Sequence, residues 1–551
     1  MKKWLITSTV LLVLAAGAWY YLKFRKSDDF EPLIKAKLQQ AVKDGSNGLY
    51  ILETGKIEID IVSSSVVVLD ARLLVDSARL KELDNLYAAP NDIYKISFKA
   101  LSVNGISAAD VLSKNSIDLS VVYINEPVVE IYHHKRAYNY ILKDTSSLYQ
   151  LISKELGHVK IGDLIIQKMD FAYNNIAKKN KVTRFENVSM NFKDIDIDSA
   201  TQFDTTRFLY AKDANIFLNN YSVKTADSLY IFSVDSIALH ASTGNMDLAG
   251  VALTPRGKKE DFSKKLTYYK DRFNINIEAV NLKNIDWYNL LSEDGFNASE
   301  AMLRNGEIEI FGDRSLPNSG ESKVGNYPHQ LLTKIEMPLN VSLIGLKNFK
   351  LIYKEFNPVS GKTGTVEFDK INASITNIVN QQEDIAVNNF LKIDAAALLM
   401  GQGNLHAVFN LDLLKANNGI FSIDVDLGKM DGKLFNKAIT PLSLVEIKEL
   451  NINSLKAYIT GNNTSAKASV TFAYEGLDIN ALKLDDNTGK LKSKGLVSFI
   501  ANTFVIKKSS PQKGKSLQTQ RVGYKRDTEK SFFNLIWKTI LEGITATVKG
   551  K

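Results

Sequence analysis

The chain of 551 residues contains no cysteine, which excludes a disulfide framework, a thiolate zinc site and a thiol nucleophile. Proline is scarce, at 10 residues, while 45% of the residues are hydrophobic and 24% are charged. This balance is typical of a folded chain and unlike that of a disordered one. The length leaves room for a sizeable core and for more than one domain.

The sequence also lacks a dominant block of charge of one sign. Its 69 Lys and Arg are interleaved with 61 Asp and Glu, which gives a net charge of +8 and a pI near 9.0. Nucleic-acid binding normally needs a concentrated basic face or a recognisable reading motif, so we expect no nucleic-acid partner. A mild positive excess suits a protein that lies beside anionic lipid.

Signatures of enzyme chemistry are absent as well. The six histidines are scattered, and no G-x-S-x-G nucleophile elbow occurs. Gly514-Lys515-Ser516 resembles the end of a phosphate-binding loop, but Ser509 replaces its first glycine. We therefore predict that the protein is not an enzyme and has neither catalytic residues nor a cofactor.

One acidic motif has the spacing of a calcium loop. Asp194, Asp196 and Asp198 match its first three ligands, but Ser199 and Thr205 stand where such a loop needs Gly and Glu. Alternating carboxylates are also what the solvated face of a strand carries. We favour that interpretation and predict no metal site.

The segment Trp4–Leu22 is the one long uncharged run, with 19 residues between Lys3 and Lys23. About 20 apolar residues suffice to span a bilayer as a helix, so we predict an N-terminal transmembrane anchor. A cleaved signal peptide is the alternative, because Ala16-Gly17-Ala18 resembles a cleavage site. The predicted anchor residues are apolar or aromatic side chains of the span and its borders: Trp4, Leu5, Leu11, Leu12, Leu14, Trp19, Tyr20 and Tyr21.

Basic residues flank both ends of this segment, so charge alone does not fix the topology. A long domain is translocated largely regardless of local charge, and we expect the body to lie outside the cytoplasm. The predicted organisation is a cytoplasmic tip and anchor (1–26), two β-rich regions (27–254 and 255–506), a polar basic linker (507–530) and an amphipathic helix (531–551).

After the anchor, Asp28 or Asp29 can cap a helix that has Pro32 in its first turn and stops near Gly45. Beyond it the apolar residues recur with a period of two, which predicts strands with one buried face. The alternation is seen in Ile57/Ile59/Ile61, Tyr94/Ile96/Phe98, Phe273/Ile275/Ile277, Ile308/Ile310, Val341/Leu343, Val366/Phe368, Phe421/Ile423/Val425/Leu427 and Val470/Phe472/Tyr474.

Short helices are predicted after Ser107, after Ser147 and over Ile285 to Leu291. Turn-rich stretches at 255–265 and 317–328 are candidate boundaries within the body. The predicted fold class is mainly β with minor α: an elongated, curved or curled, antiparallel-rich sheet with short capping helices, an N-terminal transmembrane helix and a C-terminal amphipathic helix.

The C-terminal helix is predicted to be amphipathic. It could lie on a membrane, bind a partner, or dock within the protein, and the sequence leaves these alternatives open. The candidate contact residues for a membrane or a partner protein are Phe532, Phe533, Ile536, Trp537 and Ile540.

These features together resemble the AsmA-like and TamB-like envelope proteins of Gram-negative bacteria. The resemblance rests on the anchor and on Gly48-Leu49-Tyr50, Gly55-Lys56-Ile57-Glu58-Ile59-Asp60, Ser65-Val66-Val67-Val68-Leu69-Asp70, Tyr94-Lys95-Ile96, Glu126-Pro127-Val128-Val129, Ile439-Thr440-Pro441-Leu442-Ser443-Leu444-Val445-Glu446-Ile447, Thr460-Gly461-Asn462, Phe472-Ala473-Tyr474-Glu475-Gly476-Leu477 and the Phe532–Gly543 helix. It implies a single-pass inner-membrane protein with its bulk in the periplasm and a role in outer-membrane biogenesis or lipid homeostasis.

A mechanism consistent with that setting is an apolar β-groove that holds or conducts lipid, with phospholipid as cargo. The equally weighted alternative for the apolar face is that it packs against helices or a second sheet. The alternative function is a non-enzymatic scaffold that binds other envelope proteins.

Overall fold

The structure, a computed structural model, describes residues 30–60, 63–105, 116–139, 149, 158–176, 181–292, 294–484, 491–493 and 506–549. It is 57% strand and 18% helix, which confirms the predicted mainly β class. The helix predicted over 30–45 is also confirmed. The helices predicted after Ser107 and Ser147 fall outside the described residues, apart from Tyr149.

The strands are β1 (Tyr50–Glu53), β2 (Ile57–Asp60), β3 (Ser65–Val75), β4 (Asp92–Asn104), β5 (Ser116–Asn125), β6 (Val128–His133), β7 (His158–Asn175), β8 (Lys181–Ile197), β9 (Ala211–Lys224), β10 (Tyr230–His240), β11 (Asn245–Pro255), β12 (Arg272–Lys283), β13 (Phe296–Asp313), β14 (Leu339–Asn357), β15 (Lys362–Val379), β16 (Phe390–Leu399), β17 (Gly403–Asp412), β18 (Phe421–Leu427), β19 (Met430–Asp431), β20 (Val445–Gly461), β21 (Ser465–Leu484), β22 (Leu491–Ser493) and β23 (Thr519–Lys525). The helices are α1 (Phe30–Gly45), α2 (Ser77–Asn85), α3 (Lys259–Ser263), α4 (Trp287–Ser292), α5 (Pro328–Leu332), α6 (Gln382–Val387), α7 (Asn436–Ser443) and α8 (Phe532–Val548).

The chain forms two compact units. The N-terminal unit comprises Met1–Val223 and Val234–Leu248, and the C-terminal unit comprises Lys224–Ser233 and Ala249–Lys551. The division therefore passes through β10 and β11.

In the N-terminal unit, β1 and β2 pair in succession with β3, and β3 pairs with β4, all antiparallel. β5 and β6 pair antiparallel with β4 and parallel with β7. They are separated at Glu126, which has φ +49°, and at Pro127, which has no N–H to donate. β7, β8 and β9 continue the sheet antiparallel.

The same unit shows why its sequence alternates. Residues that face each other across neighbouring strands point to the same side of a sheet. One such row runs from β2 to β9 and is apolar throughout: Ile57, Val68, Leu101, Ile124, Ile166, Met190 and Ile216. Its first five members are buried and its last two are partly exposed.

In the C-terminal unit, β12 and β13 are antiparallel and β13 and β14 are parallel. The series β14–β15–β16–β17–β18–β20–β21–β23 is antiparallel at every step. A parallel pair needs a crossover connection, and the segment between β13 and β14 contains α5. The sheet of each unit is therefore mixed but richer in antiparallel pairs.

The segment predicted as a linker, 507–530, contributes a strand. β23 pairs with β21 from Thr519 opposite Thr471 to Lys525 opposite Ser465. Val522 and Tyr524 alternate with Arg521 and Lys525, which is a strand pattern, but it is short and surrounded by polar residues. The polar and basic composition of the segment predicts a linker, whereas its short alternation indicates the strand that the structure shows.

Helix α8 begins after Ser531, whose hydroxyl accepts a hydrogen bond from the backbone N–H of Asn534 at 3.3 Å. The helix packs on β20, β21 and β23. Its buried residues recur at helical spacing: Phe532, Leu535, Ile536, Thr539, Ile540, Gly543 and Thr547. One side of α8 is thus part of the core of the C-terminal unit.

Among the described residues, none of the helices combines the length and the apolar character that crossing a bilayer requires. The predicted anchor segment, Trp4–Leu22, lies outside the described residues.

Gly543 permits the close approach of α8 to β21. A Cβ atom at this position would lie 2.4 Å from Cβ and Cγ2 of Val470. Alanine normally stabilises a helix by about 1 kcal/mol relative to glycine. We nevertheless expect Gly543→Ala to destabilise the unit by roughly 1–3 kcal/mol in urea unfolding, because overpacking outweighs helix propensity.

The control is the same substitution in a Val470→Ala background. Val470 is fully buried, and shortening it provides the space that the new methyl group needs. The penalty of Gly543→Ala should therefore shrink or reverse in that background. A single variant more stable than the parent would contradict this packing.

Candidate functional site: a partly exposed apolar sheet face

The C-terminal sheet carries a row of apolar residues that crosses ten strands. Each member is the register partner of the next, so all of them point to one side of the sheet. From β12 to β23 the row is Leu282, Ala301, Ile344, Ile375, Ile393, Phe409, Ile423, Ile459, Ala468 and Val522. We refer to this side of the sheet as the apolar face.

A second row runs beside the first, two residues away along each strand. It consists of Val280, Leu303, Leu346, Ala373, Ala395, Ala407, Val425, Ala457 and Val470. Both rows are apolar in every strand from β12 to β21, so the face is a continuous band.

A third row lies further along β12–β16, beyond a line of bulges. It consists of Ile275, Ile308, Leu351, Phe368 and Leu399. Leu346 and Leu351 are five residues apart and would point to opposite sides of a regular strand. Their register partners in β15 are Ala373 and Phe368, which pair in turn with Ala395 and Leu399 of β16. Ala395 and Leu399 are four residues apart and point to the same side of the sheet. The bulge in β14 therefore places both leucines on the apolar face.

The bulges are formed by residues with a left-handed backbone. Asn305, Asn348 and Lys370 have φ between +51° and +58°, and the register shifts on either side of β15 occur beside them. The side-chain amide of Asn348 donates to Oδ1 of Asn305 at 2.9 Å, and its backbone N–H donates to Oδ1 of Asn372 at 3.2 Å. Asparagine suits these positions because it tolerates the left-handed region.

One end of the apolar face is covered. Ile423, Ile459 and Val470 have no exposed surface, and they belong to β18, β20 and β21. This is the end of the band on which α8 packs, where Phe421 of β18 also meets Phe532 of the helix, with ring centroids 5.0 Å apart.

The remaining strands leave the face partly exposed. Ile344, Ile375, Ile393 and Phe409 of the first row are all partly exposed, as are the members of the second row from β12 to β17 and those of the third. Helix α7 packs on β14 and β15, where Leu442 approaches Gly364, and this contact lies beyond the third row. An apolar surface six strands wide thus remains accessible.

The opposite side is mainly polar from β16 to β20, whereas on β14 and β15 it also holds the buried Val341, Ile352 and Ile378. Nε2 of His406 lies 2.9 Å from Oδ1 of Asp394, and Nζ of Lys456 lies 2.9 Å from Oδ2 of Asp426. Asp424 is exposed on this side as well. Water can solvate the polar groups from β16 to β20, so in these strands only one side requires an apolar partner.

The covered end is fastened by an aromatic cluster. Tyr327, Phe421 and Phe532 lie with ring centroids 4.5–5.9 Å apart, in a range that favours aromatic pairs. The buried guanidinium of Arg526 lies 4.5 Å from the ring of Tyr327 and donates to the carbonyls of Asn463, Lys323 and Lys530. We call these four residues the latch.

A buried histidine lies beside the latch. His329 has no exposed surface, its ring lies 6.1 Å from that of Tyr327, and neither ring nitrogen has a hydrogen-bond partner. Burial lowers the pKa of His329 to about 4, and the nearby carboxylate of Asp412 opposes this shift only in part. The imidazole is therefore neutral at pH 7.

A different cluster lies at the ends of β7 and β8. Ligand atoms of His158, Asp196 and Asp198 all lie within 4.8 Å of one another, and it is the one group of three such side chains in the ranges that the structure describes. Nε2 of His158 is 2.7 Å from Oδ1 of Asp196, and Oδ1 of Asp198 accepts hydrogen bonds from the N–H groups of Ala200 and Thr201. The atoms of this cluster that could bind a metal ion therefore already have hydrogen-bond partners within the protein.

The predicted contact residues of the C-terminal helix divide into two sets. Phe532, Ile536 and Ile540 are buried within the unit, whereas Phe533 and Trp537 are 63% and 47% exposed. Contact with a membrane or a partner protein remains a prediction, and in the structure only the second pair is available for it. All eight predicted anchor residues lie outside the described residues.

Sequence reasoning missed the central part of the apolar face. Leu391, Ile393 and Ala395 alternate with Lys392 and Asp394, and Leu405, Ala407, Phe409 and Leu411 follow the same period in β17. These signals were in the sequence, but two alanines weaken them, because alanine is less hydrophobic than Leu, Ile or Phe.

We expect the stability of the C-terminal unit to fall as the pH falls from about 6.5 to about 4. In that window the unfolded chain binds a proton at His329 that the folded chain does not, because the folded pKa is the lower one. The loss is at most about 3 kcal/mol. His329→Phe should remove this slope in urea unfolding at a series of pH values, because phenylalanine does not titrate. The variant should still fold, since the nitrogens that are lost have no hydrogen bonds.

His406→Gln, at an exposed histidine of the polar side, is the matched control and should keep the slope of the parent. Retention of the full acid slope in His329→Phe would contradict the burial of a neutral imidazole.

Comparison with known proteins leaves the family open. No protein-family model matches the chain, and no curated protein matches it. The resemblance to AsmA-like proteins therefore remains a prediction from the sequence.

Proposed function

We propose that this chain binds the acyl chains of membrane phospholipids on the apolar face of its C-terminal unit. The observation that carries the proposal is the contrast between the two sides of β12–β17. One side is a continuous band of partly exposed Ile, Leu, Val, Phe and Ala, and the other mixes apolar residues with many charged and polar ones. Exposed apolar patches of this kind mark sites of interaction with lipid, ligand or protein.

The dimensions suit an acyl chain. Six strands spaced at about 4.8 Å extend over roughly 24 Å, and one leaflet of a bilayer's hydrocarbon core is about 15 Å thick. An extended acyl chain therefore fits across the strands with its headgroup left in water. Each buried methylene contributes about 0.8 kcal/mol, so ten of them contribute roughly 8 kcal/mol before the cost of ordering the chain.

The centre of the face is shaped by small side chains. Ala373, Ala395 and Ala407 are consecutive members of the second row. On one side they are flanked by the larger residues Ile375, Ile393 and Phe409, and on the other side the next pair is Ala397 of β16 and Leu405 of β17. A row of alanines beside larger side chains leaves a lower strip that runs across the strands, as a linear hydrocarbon requires.

The setting belongs to the proposal as well. The predicted anchor would place the protein in the inner membrane, with its bulk in the periplasm and its function in lipid homeostasis or outer-membrane biogenesis. An apolar groove that is tethered to a membrane would lie next to the phospholipids that it binds. The elongated, curled sheet of the AsmA-like pattern is the architecture that we propose for this role.

The scaffold alternative relies on sheet edges or on α8. Among the described strands β23 pairs only with β21, and it carries exposed Arg521 and Lys525 along its length. Charged side chains on an edge strand oppose the addition of another strand. The edge therefore favours the lipid proposal over a scaffold that works by strand addition.

The proposal predicts that a charge on the apolar face abolishes lipid binding. Phe409→Lys places an ammonium in the path of the acyl chain, where burying it costs several kcal/mol. We expect at least tenfold less phospholipid in lipid mass spectrometry of the purified full-length variant, and a matching loss of binding of a fluorescent fatty acid.

Val408→Lys is the matched control, because Val408 is the next residue of the same strand and points to the polar side. Its register partners there are Asp394 and Asp424, which favour a lysine. The control should retain lipid. A parent chain that carries no lipid and takes none up, or equal binding by the two variants, would refute the proposal.

A further inference from the structure

Helix α8 exposes two aromatic side chains on the side that faces away from the sheet. Phe533 and Trp537 are four residues apart, one helical turn, and are 63% and 47% exposed. The residues between them include Leu535 and Ile536, which are buried. One side of this apolar helix is therefore buried in the core of the unit, and the other side exposes two aromatic rings.

The same segment holds almost all of the net charge of the chain. Residues 507–549 contain ten Lys and Arg against three Asp and Glu, a net charge of +7 out of +8. The positive excess of the chain therefore lies in the segment that contains α8, although Arg521 and Lys525 point to the other side of β23 and Arg526 is buried in the latch.

Lysines lie at both ends of the helix, and the helix itself carries Lys538 and the exposed Glu542. Lys530 immediately precedes its N-terminal cap, and Lys538 follows Trp537. At the other end, Lys507 donates from its backbone N–H to the carbonyl of Val548 at 2.9 Å and from Nζ to that of Thr547 at 3.4 Å. Lys508 is exposed next to it.

We propose that the outer side of α8, with Phe533, Trp537 and the lysines that flank it, docks on the surface of an anionic phospholipid bilayer. Aromatic side chains partition to the headgroup region, and each basic residue near an anionic surface adds about 1 kcal/mol of attraction. A helix that shows aromatic rings and lysines together is typical of interfacial binding. The 17 residues of α8 give a length of about 25 Å, and the helix lies along the surface.

Charge selects the membrane over a second copy of this chain. A symmetric contact through α8 would bring Lys508, Lys530 and Lys538 of one copy close to the same lysines of the other, which electrostatic repulsion disfavours. The negative surface of an anionic bilayer has the opposite sign and attracts it.

The test uses the full-length chain with a photoreactive benzoylphenylalanine at one position, reconstituted in phosphatidylcholine vesicles with or without phosphatidylglycerol. The positions are Phe533, Trp537 and, as control, Tyr458, which is 49% exposed on the polar side of β20. The control position accounts for tethering of the whole chain to the vesicle. We expect several-fold more lipid adducts at the two α8 positions than at the control.

Salt and charge give a second readout. Adduct formation at α8 should decline without phosphatidylglycerol and at high salt, because screening weakens attraction between exposed charges. Lys530→Gln with Lys538→Gln should reduce the difference between the two vesicle types. Equal adducts at all three positions, no lipid adducts, or adducts with a second protein chain would each overturn the proposal.

This surface is separate from the acyl-binding face, so the two proposals can fail independently. The Phe409→Lys variant, which should lose bound lipid, should still form adducts at position 537 as the parent does. Loss of adducts in that variant would contradict a docking surface that acts on its own.

Discussion

A sheet with one polar side and one apolar side must find cover for the apolar side, and most features of the C-terminal unit follow from this constraint. On one side of β16, β18 and β20, Asp394, Asp424 and Lys456 are solvated by water and need no apolar cover. On the other side, three parallel rows of apolar side chains face one way. Each uncovered residue of these rows loses the free energy that burial would provide.

The cover that the chain supplies is too small for the sheet. Ten strands at about 4.8 Å spacing extend over roughly 43 Å, whereas the 17 residues of α8 extend over about 25 Å. Even a helix laid straight across the strands would leave several of them open. The latch at Tyr327 and Arg526 then determines which end is covered, because it ties the start of α8 to β18 and to the segment before α5.

The sequence predicts the class of structure well and its pairing poorly, for a physical reason. Alternation is local, so the strands at Phe273–Ile277 and Phe421–Leu427 could be found from their own residues. The bulge at Asn348 cannot be found from its own segment of sequence, because it is recognised only when the register partners of Leu346 and Leu351 on β15 are known. The position of Tyr327, whose hydroxyl donates to the carbonyl of Asn462 135 positions away, and the pairing of β23 with β21 likewise depend on residues that are distant in the sequence.

The bulges explain how a face so wide can remain apolar. A regular strand of the length of β14 keeps a single parity, and its leucines at 346 and 351 would divide between the two sides. The left-handed residues at 305, 348 and 370 lie side by side on neighbouring strands, and at each of them the alternation of side chains between the two sides of the sheet shifts by one residue. The third row therefore points to the same side as the other two. Bulges also bend strands and increase their local twist, so the residues that widen the face are also those at which we expect its strands to bend.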